Sequence, residues 1–145
     1  MTALAADSNL DHRGTVEMQS VPVVETDIIY KGALCMLNAD GYLAPCTATA
    51  SSQFAGIALA QGDNSAGSNG DIEVVCARSG RWLLTISDTI TQANVGDVVY
   101  AEDDGTVSHT AATNEQKVGV ITEFVDGTHC YVEIADGCNN PALGT

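Results

Sequence analysis

Histidine and cysteine side chains are the groups of this 145-residue chain best suited to nucleophilic or metal chemistry. They are His12, His109 and His129, with Cys35, Cys46, Cys76, Cys130 and Cys138. A nucleophile needs a base beside it, but His129 and Cys130 are neighbours on a predicted strand and so face opposite sides. The close Cys-x-x-Cys pairs that are typical of structural zinc do not occur. We therefore predict free, mostly buried thiols and no metal site.

The carboxylates offer no clear catalytic or calcium-binding arrangement. Most of the 19 Asp and Glu residues fall in predicted turns, where Asp stabilises the local backbone. Residues 62–71 look like a calcium loop, but they lack the Gly and the Glu that an EF-hand places at its sixth and twelfth positions. We interpret them as a polar surface loop. No phosphate loop or Gly-x-Ser-x-Gly motif occurs, so we predict no cofactor and no enzymatic activity, with a hydrolase built from distant residues as the minor alternative.

The charge balance excludes several classes of partner. Five Lys and Arg residues against 19 Asp and Glu residues give a net charge of −14. Phosphate backbones and anionic lipid surfaces are bound through cationic side chains, so we expect no nucleic-acid and no membrane partner. The chain has no apolar run of about 20 residues, and its first residues have no basic region typical of a signal peptide. We expect synthesis in the cytoplasm.

Short alternating segments separated by turns predict an all-β fold. The predicted strands cover residues 21–25, 33–37, 42–46, 54–60, 72–77, 82–86, 98–101, 106–110, 118–124 and 129–134. Residues 87–94 are the one short helical candidate. Many short strands at regular spacing are typical of a small β-barrel or β-sandwich.

The turn Asn38-Ala39-Asp40-Gly41 sets the pairing of its two strands. A type I turn with a left-handed glycine and a bulge places Cys35 opposite Pro45. A two-residue turn would instead place Cys35 opposite Cys46, where a disulfide could form. We favour the bulge, here and in the similar turn that ends at Gly105.

The second half of the chain resembles the first. Gly32–Gly41 aligns with Gly96–Gly105 at an offset of 64 residues, and Phe54–Ile57 aligns with Lys117–Val120 at an offset of 63. We predict a pseudo-repeat of about residues 30–77 and 94–134. Two similar halves, each with an apolar face that it cannot bury alone, would close one core.

The predicted domain organisation has three parts. Residues 1–20 lack periodicity and form an extended N-terminal arm, residues 21–136 form the β domain, and residues 137–145 form an irregular C-terminal tail. The arm is either a floppy terminus or a segment that becomes ordered on a partner, with Leu10, Val16 and Met18 as anchors.

Basic and aromatic residues supply the remaining candidates for a contact surface. Arg78 and Arg81 flank a turn beside Trp82, and Arg13 lies in the arm. Arg and Trp are favoured in protein interfaces, although a solvated turn with Trp82 in the core is an equally simple interpretation. The predicted contact residues are Leu10, Arg13, Val16, Met18, Arg78, Arg81 and Trp82.

Four motifs, in this order, resemble a known family. They are Tyr30-Lys31-Gly32-Ala33-Leu34, Phe54-Ala55-Gly56-Ile57-Ala58, Gly80-Arg81-Trp82-Leu83-Leu84 and Val95-Gly96-Asp97-Val98-Val99-Tyr100. Across about residues 20–135 the chain is similar to the capsid decoration, or cement, proteins of tailed bacteriophages.

The resemblance implies a structural virion protein without enzymatic activity. Such proteins bind the outer surface of the phage head, bridge major capsid subunits and stabilise the shell, often as homotrimers and sometimes as dimers. The resemblance transfers no contact residue by itself, so the seven residues above rest on their own chemistry. The alternative function is a small-ligand or glycan-binding β module, such as a host-attachment or head-fibre knob.

Overall fold

A computed structural model describes residues 3–134 of the chain, which form thirteen strands and one 3₁₀ turn. The elements are β1 (His12–Arg13), β2 (Met18–Pro22), β3 (Ile28–Ile29), β4 (Leu34–Leu37), β5 (Leu43–Pro45), β6 (Gln53–Ala58), β7 (Gly62–Asp63), β8 (Glu73–Ala77), β9 (Gly80–Thr85), the 3₁₀ turn (Gln92–Asn94), β10 (Val98–Ala101), β11 (Val107–Ser108), β12 (Lys117–Asp126) and β13 (His129–Ile134). The prediction of an all-β fold is confirmed. No helix in residues 3–134 has the length and apolarity to cross a membrane.

The strands form two large sheets and one small sheet. The first sheet has the order β2-β8-β6-β4-β5, the second has the order β1-β9-β13-β12-β10-β11, and the small sheet pairs β3 with β7. All pairs of neighbouring strands are antiparallel. Apart from β1, the second sheet follows the same order of successive strands as the first.

Two apolar cores lie on opposite faces of the first sheet. Alternate residues of β4 separate them, because Leu34 and Met36 point into one core and Cys35 points into the other. The main core fills the space between the two large sheets and includes Phe54 and Val132. The outer core lies on the opposite face of the first sheet and includes Ile29 of the small sheet. The first sheet therefore lies between two apolar cores, and the small sheet covers the outer one.

The register of the first hairpin is as predicted. Cys35 lies opposite Pro45, and Gly41 has a φ of 86°, the left-handed conformation that a bulged turn requires. The prediction was wrong for the second hairpin, because Gly105 does not adopt this conformation. There the Asp103 side chain accepts a hydrogen bond from the Gly105 N–H at 2.8 Å and stabilises a different turn.

The loop of residues 62–71 is held by its own polar side chains. Asn64 is buried, and its amide group donates to the carbonyl oxygens of Val24, at 2.9 Å, and Ser68, at 3.0 Å. Asp71 accepts a hydrogen bond from the Ser68 N–H. These hydrogen bonds close the loop on itself and attach it to residue 24 beside β2.

The predicted helix at residues 87–94 is reduced to the 3₁₀ turn at its end. Ile86 forms a parallel bridge with Val107, and Ile90 is buried in the main core. Packing of these two isoleucines favours extended backbone, and the turn begins only after Thr91, whose side chain accepts a hydrogen bond from the Ala93 N–H. The strand β2 begins at Met18, before the predicted start of the β domain at residue 21. The predicted tail of residues 137–145 lies outside the described residues.

Candidate functional site

The described part of the arm, residues 3–17, lies against the β domain. Ser8 N–H donates to the Lys31 carbonyl oxygen at 2.7 Å, and Leu83 N–H donates to the Asp11 carbonyl oxygen at 2.8 Å. Near its end, the Glu17 carbonyl oxygen accepts from the Arg78 N–H at 2.7 Å. These hydrogen bonds join the arm to the β domain of the same chain.

A groove of about 430 Å³ separates the arm from the first sheet. Leu10 and Val16 of the arm line one side, and both also pack against the main core. Met18 lines the groove with 67% of its surface exposed, whereas Trp82 lies at its base and is only 3% exposed. Trp82 is therefore a core side chain, which is one of the two interpretations that the sequence allowed. The centre of its ring lies 4.7 Å from the centre of the His12 ring.

A second depression, of about 350 Å³, contains Arg13 and Arg81, which lie opposite each other on β1 and β9. The Arg13 guanidinium pairs with Glu123 Oε1 at 2.7 Å and lies 4.2 Å from the centre of the Tyr131 ring. Glu17 and Glu133 line the same depression. Positive and negative side chains are thus interspersed in this depression. Such a pattern favours a polar partner surface whose charges align with it in one orientation.

Arg78 lies in the turn that precedes β9 and contacts the end of the arm and β2. Its guanidinium donates to Gln19 of β2, and its backbone N–H bonds Glu17. We call the surface formed by residues 8–18, the turn 78–81 and the two depressions the arm face. The structure brings all seven predicted contact residues to this face, six of them with side chains that are not buried.

Sequence reasoning missed three further side chains of this face. Lys31 and Leu59 line the groove, and Tyr131 lies beneath Arg13. They come from distant parts of the chain, so no local spacing indicated them. One local signal existed at Gly32, which has a φ of 86° and where a Cβ would collide with the Ser8 carbonyl oxygen. A glycine there lets the arm cross close to the domain.

His109 and the neighbouring Ser108 do not form a base–nucleophile pair. His109 Nε2 lies 3.5 Å from Asp88 Oδ2, but the Ser108 hydroxyl donates to the same Asp88 oxygen and not to the histidine. This bond is the main reason why the pKa of Asp88 lies below its ordinary value. A serine nucleophile needs a base that takes its proton, so this arrangement stabilises the loop instead.

The described cysteines are free and buried. Burial raises the pKa of Cys46 well above its usual range and that of Cys130 to about 11. The pKa of Cys35 is raised chiefly by its hydrogen bond with Cys76, with burial adding to this. The thiolate is the reactive form, so the thiols of Cys35, Cys46 and Cys130 are poor nucleophiles. Within residues 3–134, no group of three or more His, Cys, Asp or Glu side chains could hold a metal ion.

Comparison with known proteins identifies the family. A family described as structural cement protein, from phages, matches residues 3–137. A chain from the solved capsid of Myoviridae phage XM1 has the same fold, with a TM-score of 0.60 and 18% identity over 94% of this chain and 93% of that chain. No curated protein sequence matches. Because the family match spans nearly the whole chain, the protein belongs to the structural cement proteins of phage capsids and serves to stabilise the capsid.

Proposed function

We propose that the protein binds the outer surface of the phage head, bridges neighbouring major capsid subunits, and makes this contact through the arm face. The observation that carries the proposal is the gathering of Leu10, Met18, Arg13, Arg78 and Arg81 on one face. Exposed apolar and arginine side chains side by side are the composition that protein interfaces favour.

The charge distribution supports the same face. The chain carries −14, yet Arg13, Lys31, Arg78 and Arg81, four of its five cations, belong to the arm face. A strongly acidic protein is repelled least by other surfaces at the region where its cations gather. Many copies on a symmetric shell would add weak contacts through avidity.

The test uses expanded empty heads without cement protein. Wild-type protein should co-sediment with these heads and raise the temperature at which they rupture. Arg81→Glu should weaken binding by about tenfold, as expected for an interface arginine, whereas Lys117→Glu reverses a cation of β12 outside the arm face and should leave binding nearly unchanged. Wild-type protein that neither binds nor stabilises heads would refute the proposal, and equal losses in both variants would refute the assignment of the arm face.

Assembly and activity belong to the same proposal. We propose a homotrimer, with a dimer as the alternative, and synthesis in the host cytoplasm before assembly onto heads. Sedimentation equilibrium of the free protein distinguishes the two states. We also propose that the protein has no catalytic role, which agrees with the raised thiol pKa values and with the arrangement of Ser108, Asp88 and His109.

A further inference from the structure

The strand β2 lies at an edge of the first sheet, and this edge is open at residues 18–20, because beyond Pro22 the Val24 N–H donates to the Leu43 carbonyl oxygen of β5 at 2.9 Å. At the two ends of its pairing with β8, Arg78 N–H donates to the Glu17 carbonyl oxygen and Val23 N–H donates to the Ile72 carbonyl oxygen. Odd-numbered residues of this strand therefore bond β8. In antiparallel pairs, the next residue directs its N–H and C=O to the other side, so Met18 and Ser20 direct theirs to the open side. Unpaired backbone groups of this kind are a template for another strand.

The corresponding edge of the second sheet is covered. There β9 takes the place that β2 has in the first sheet, and β1 of the arm pairs with it, opposite Trp82 and Arg81. The Asp11 carbonyl oxygen extends this pairing by accepting from Leu83 N–H. The same position in the strand order thus carries an added extended segment in one sheet and is open in the other.

The surroundings of the open edge suit a segment with apolar side chains. Met18 is 67% exposed and Val75 of β8 is 38% exposed, which are unusual values for large apolar side chains. In a strand, residues 18 and 20 lie on one face, and Val75 lies opposite Ser20 on that face. This face continues into the groove that Leu59 and Ile57 line. Glu73 accepts a hydrogen bond from the Ser20 hydroxyl at this edge, and the cations Arg78 and Lys31 lie near its other end.

We propose that the open edge of β2 binds an extended segment of the shell subunit as an added strand. This inference rests on the proposed function and specifies its contact. The backbone of Met18 and Ser20 supplies the hydrogen bonds, and Met18, Val75 and the groove receive apolar side chains from alternate positions of the segment. Backbone bonds give affinity and side-chain pockets give specificity in this mode of recognition. Pro22 ends the available edge, since proline has no N–H to donate.

The first test removes one outward N–H. Ser20→Pro deletes the donor that faces the open side but no bond to β8, whereas Ser20→Ala keeps the donor and loses only the hydroxyl. In co-sedimentation with empty heads, Ser20→Pro should lower affinity by about tenfold and Ser20→Ala by no more than about twofold. Circular dichroism and thermal unfolding check that both variants fold.

The second test does not depend on tolerance of proline. Met18→Glu places a charge on the exposed edge, and Val125→Glu places the same charge on β12, where Val125 is 44% exposed. Only Met18→Glu should weaken binding, again by about tenfold. Hydrogen exchange on head-bound wild-type protein should slow at the amides of residues 18 and 20.

The outcomes separate the two proposals. Failure of wild-type protein to bind heads overturns the proposed function and this inference with it. Binding of wild type with equal binding by folded Ser20→Pro, or by Met18→Glu, overturns the added strand alone. If the amides of residues 18 and 20 are already slow in a dimer without heads, the edge pairs with a second copy, which also overturns the proposal.

Discussion

The two large sheets share one order of successive strands but differ in what covers them. The central strand β6 of the first sheet is buried on both faces, from Phe54 to Ala58, whereas β2 and β8 toward its edge keep exposed side chains. The second sheet has one buried face, so residues of β9 alternate between the main core and exposed positions such as Arg81 and Thr85. The shared strand order thus does not determine burial, which depends on which segment packs outside each sheet.

The connections between equivalent strands explain this difference. Residues 59–72 join β6 to β8 and carry β7, which pairs with β3 over the outer core. The turn at residues 127–128 joins β12 to β13 and carries no such layer. The long connection covers one face of the first sheet, and the arm covers one edge of the second. A common origin of the two halves stays a prediction.

The largest expected effects concern two glycines at the same place in each sheet. Gly56 lies opposite Cys35 and Gly119 lies opposite Val99, and a bulge follows each pair. A Cβ would collide with the Ala77 carbonyl oxygen at Gly56 and with the Glu133 carbonyl oxygen at Gly119. We expect Gly56→Ala and Gly119→Ala each to lower the free energy of unfolding by about 3 kcal/mol or more, as measured by urea denaturation.

The control for this pair is a glycine without neighbours. Gly41 has a φ of 86°, and no atom lies within 4 Å of the point that a Cβ would occupy, so Gly41→Ala should cost only the backbone conformation, about 1–2 kcal/mol. Gly56, with a φ of 140°, should lose more than Gly119, whose φ is not positive. Equal, small losses at all three positions would mean that the close strand approach does not constrain the fold.

The sequence predicted the strands better than it predicted what packs against them. Alternation and the turn Asn38–Gly41 were sufficient for the strands and the register of Cys35 opposite Pro45, because these depend on neighbouring residues. The second covered face of the first sheet was not predictable, since the run Leu34–Leu37 is apolar throughout and does not identify what packs on either side.

The arm face shows the same limit. Residue type indicated Met18 and Arg81, but it could not distinguish an interface Trp82 from a core Trp82, because tryptophan is favoured in both. Leu59 and Tyr131 were missed, since only tertiary packing brings them to the arm. The path of the arm depends on hydrogen bonds to residues far along the chain, such as Lys31 and Leu83.

The next largest effect compares two residues at equivalent positions of the two large sheets, one buried and one half-buried. The sequence alignment pairs Ile57 with Val120; Ile57 is buried in the main core, whereas Val120 is half-buried. Ile57→Ala should lower the free energy of unfolding by about 2–4 kcal/mol through lost burial and a cavity. Val120→Ala should cost about 1 kcal/mol or less, and a comparable loss in denaturant unfolding would show that the outer face of the second sheet is also covered.

A smaller, pH-dependent effect distinguishes the aspartates of the two hairpin turns. Asp40 is exposed, whereas Asp104 is buried and accepts a hydrogen bond from the Leu4 N–H at 2.8 Å. Burial, with a smaller contribution from Asp103, raises the pKa of Asp104 despite the opposing Leu4 bond. A carboxyl with a raised pKa stabilises the fold in its protonated form. This contribution is complete below the unfolded pKa of about 3.9 and is lost as the pH rises through the folded pKa.

Asp104→Asn should remove the loss of stability that ionisation of Asp104 causes as the pH rises. The difference in unfolding free energy between the variant and wild type should therefore shift in favour of the variant as the pH rises from about 4 to 7. Asp40→Asn, the same change at an exposed aspartate of the other hairpin turn, serves as the matched control. Thermal unfolding at several pH values measures both differences, and a constant difference for Asp104→Asn contradicts the assigned role of burial.

The smallest expected effect tests how firmly β1 holds the edge of the second sheet. Arg13 pairs with Glu123 and stacks on Tyr131, but both charged side chains are about half exposed. A double-mutant cycle of Arg13→Gln and Glu123→Gln should give a coupling of about 0.5 kcal/mol that falls in high salt. The backbone pairing of His12 and Arg13 with β9 would then account for most of the arm's attachment. A coupling above about 2 kcal/mol would instead make this ion pair the main attachment, and Arg13 would not be available to contact a capsid subunit.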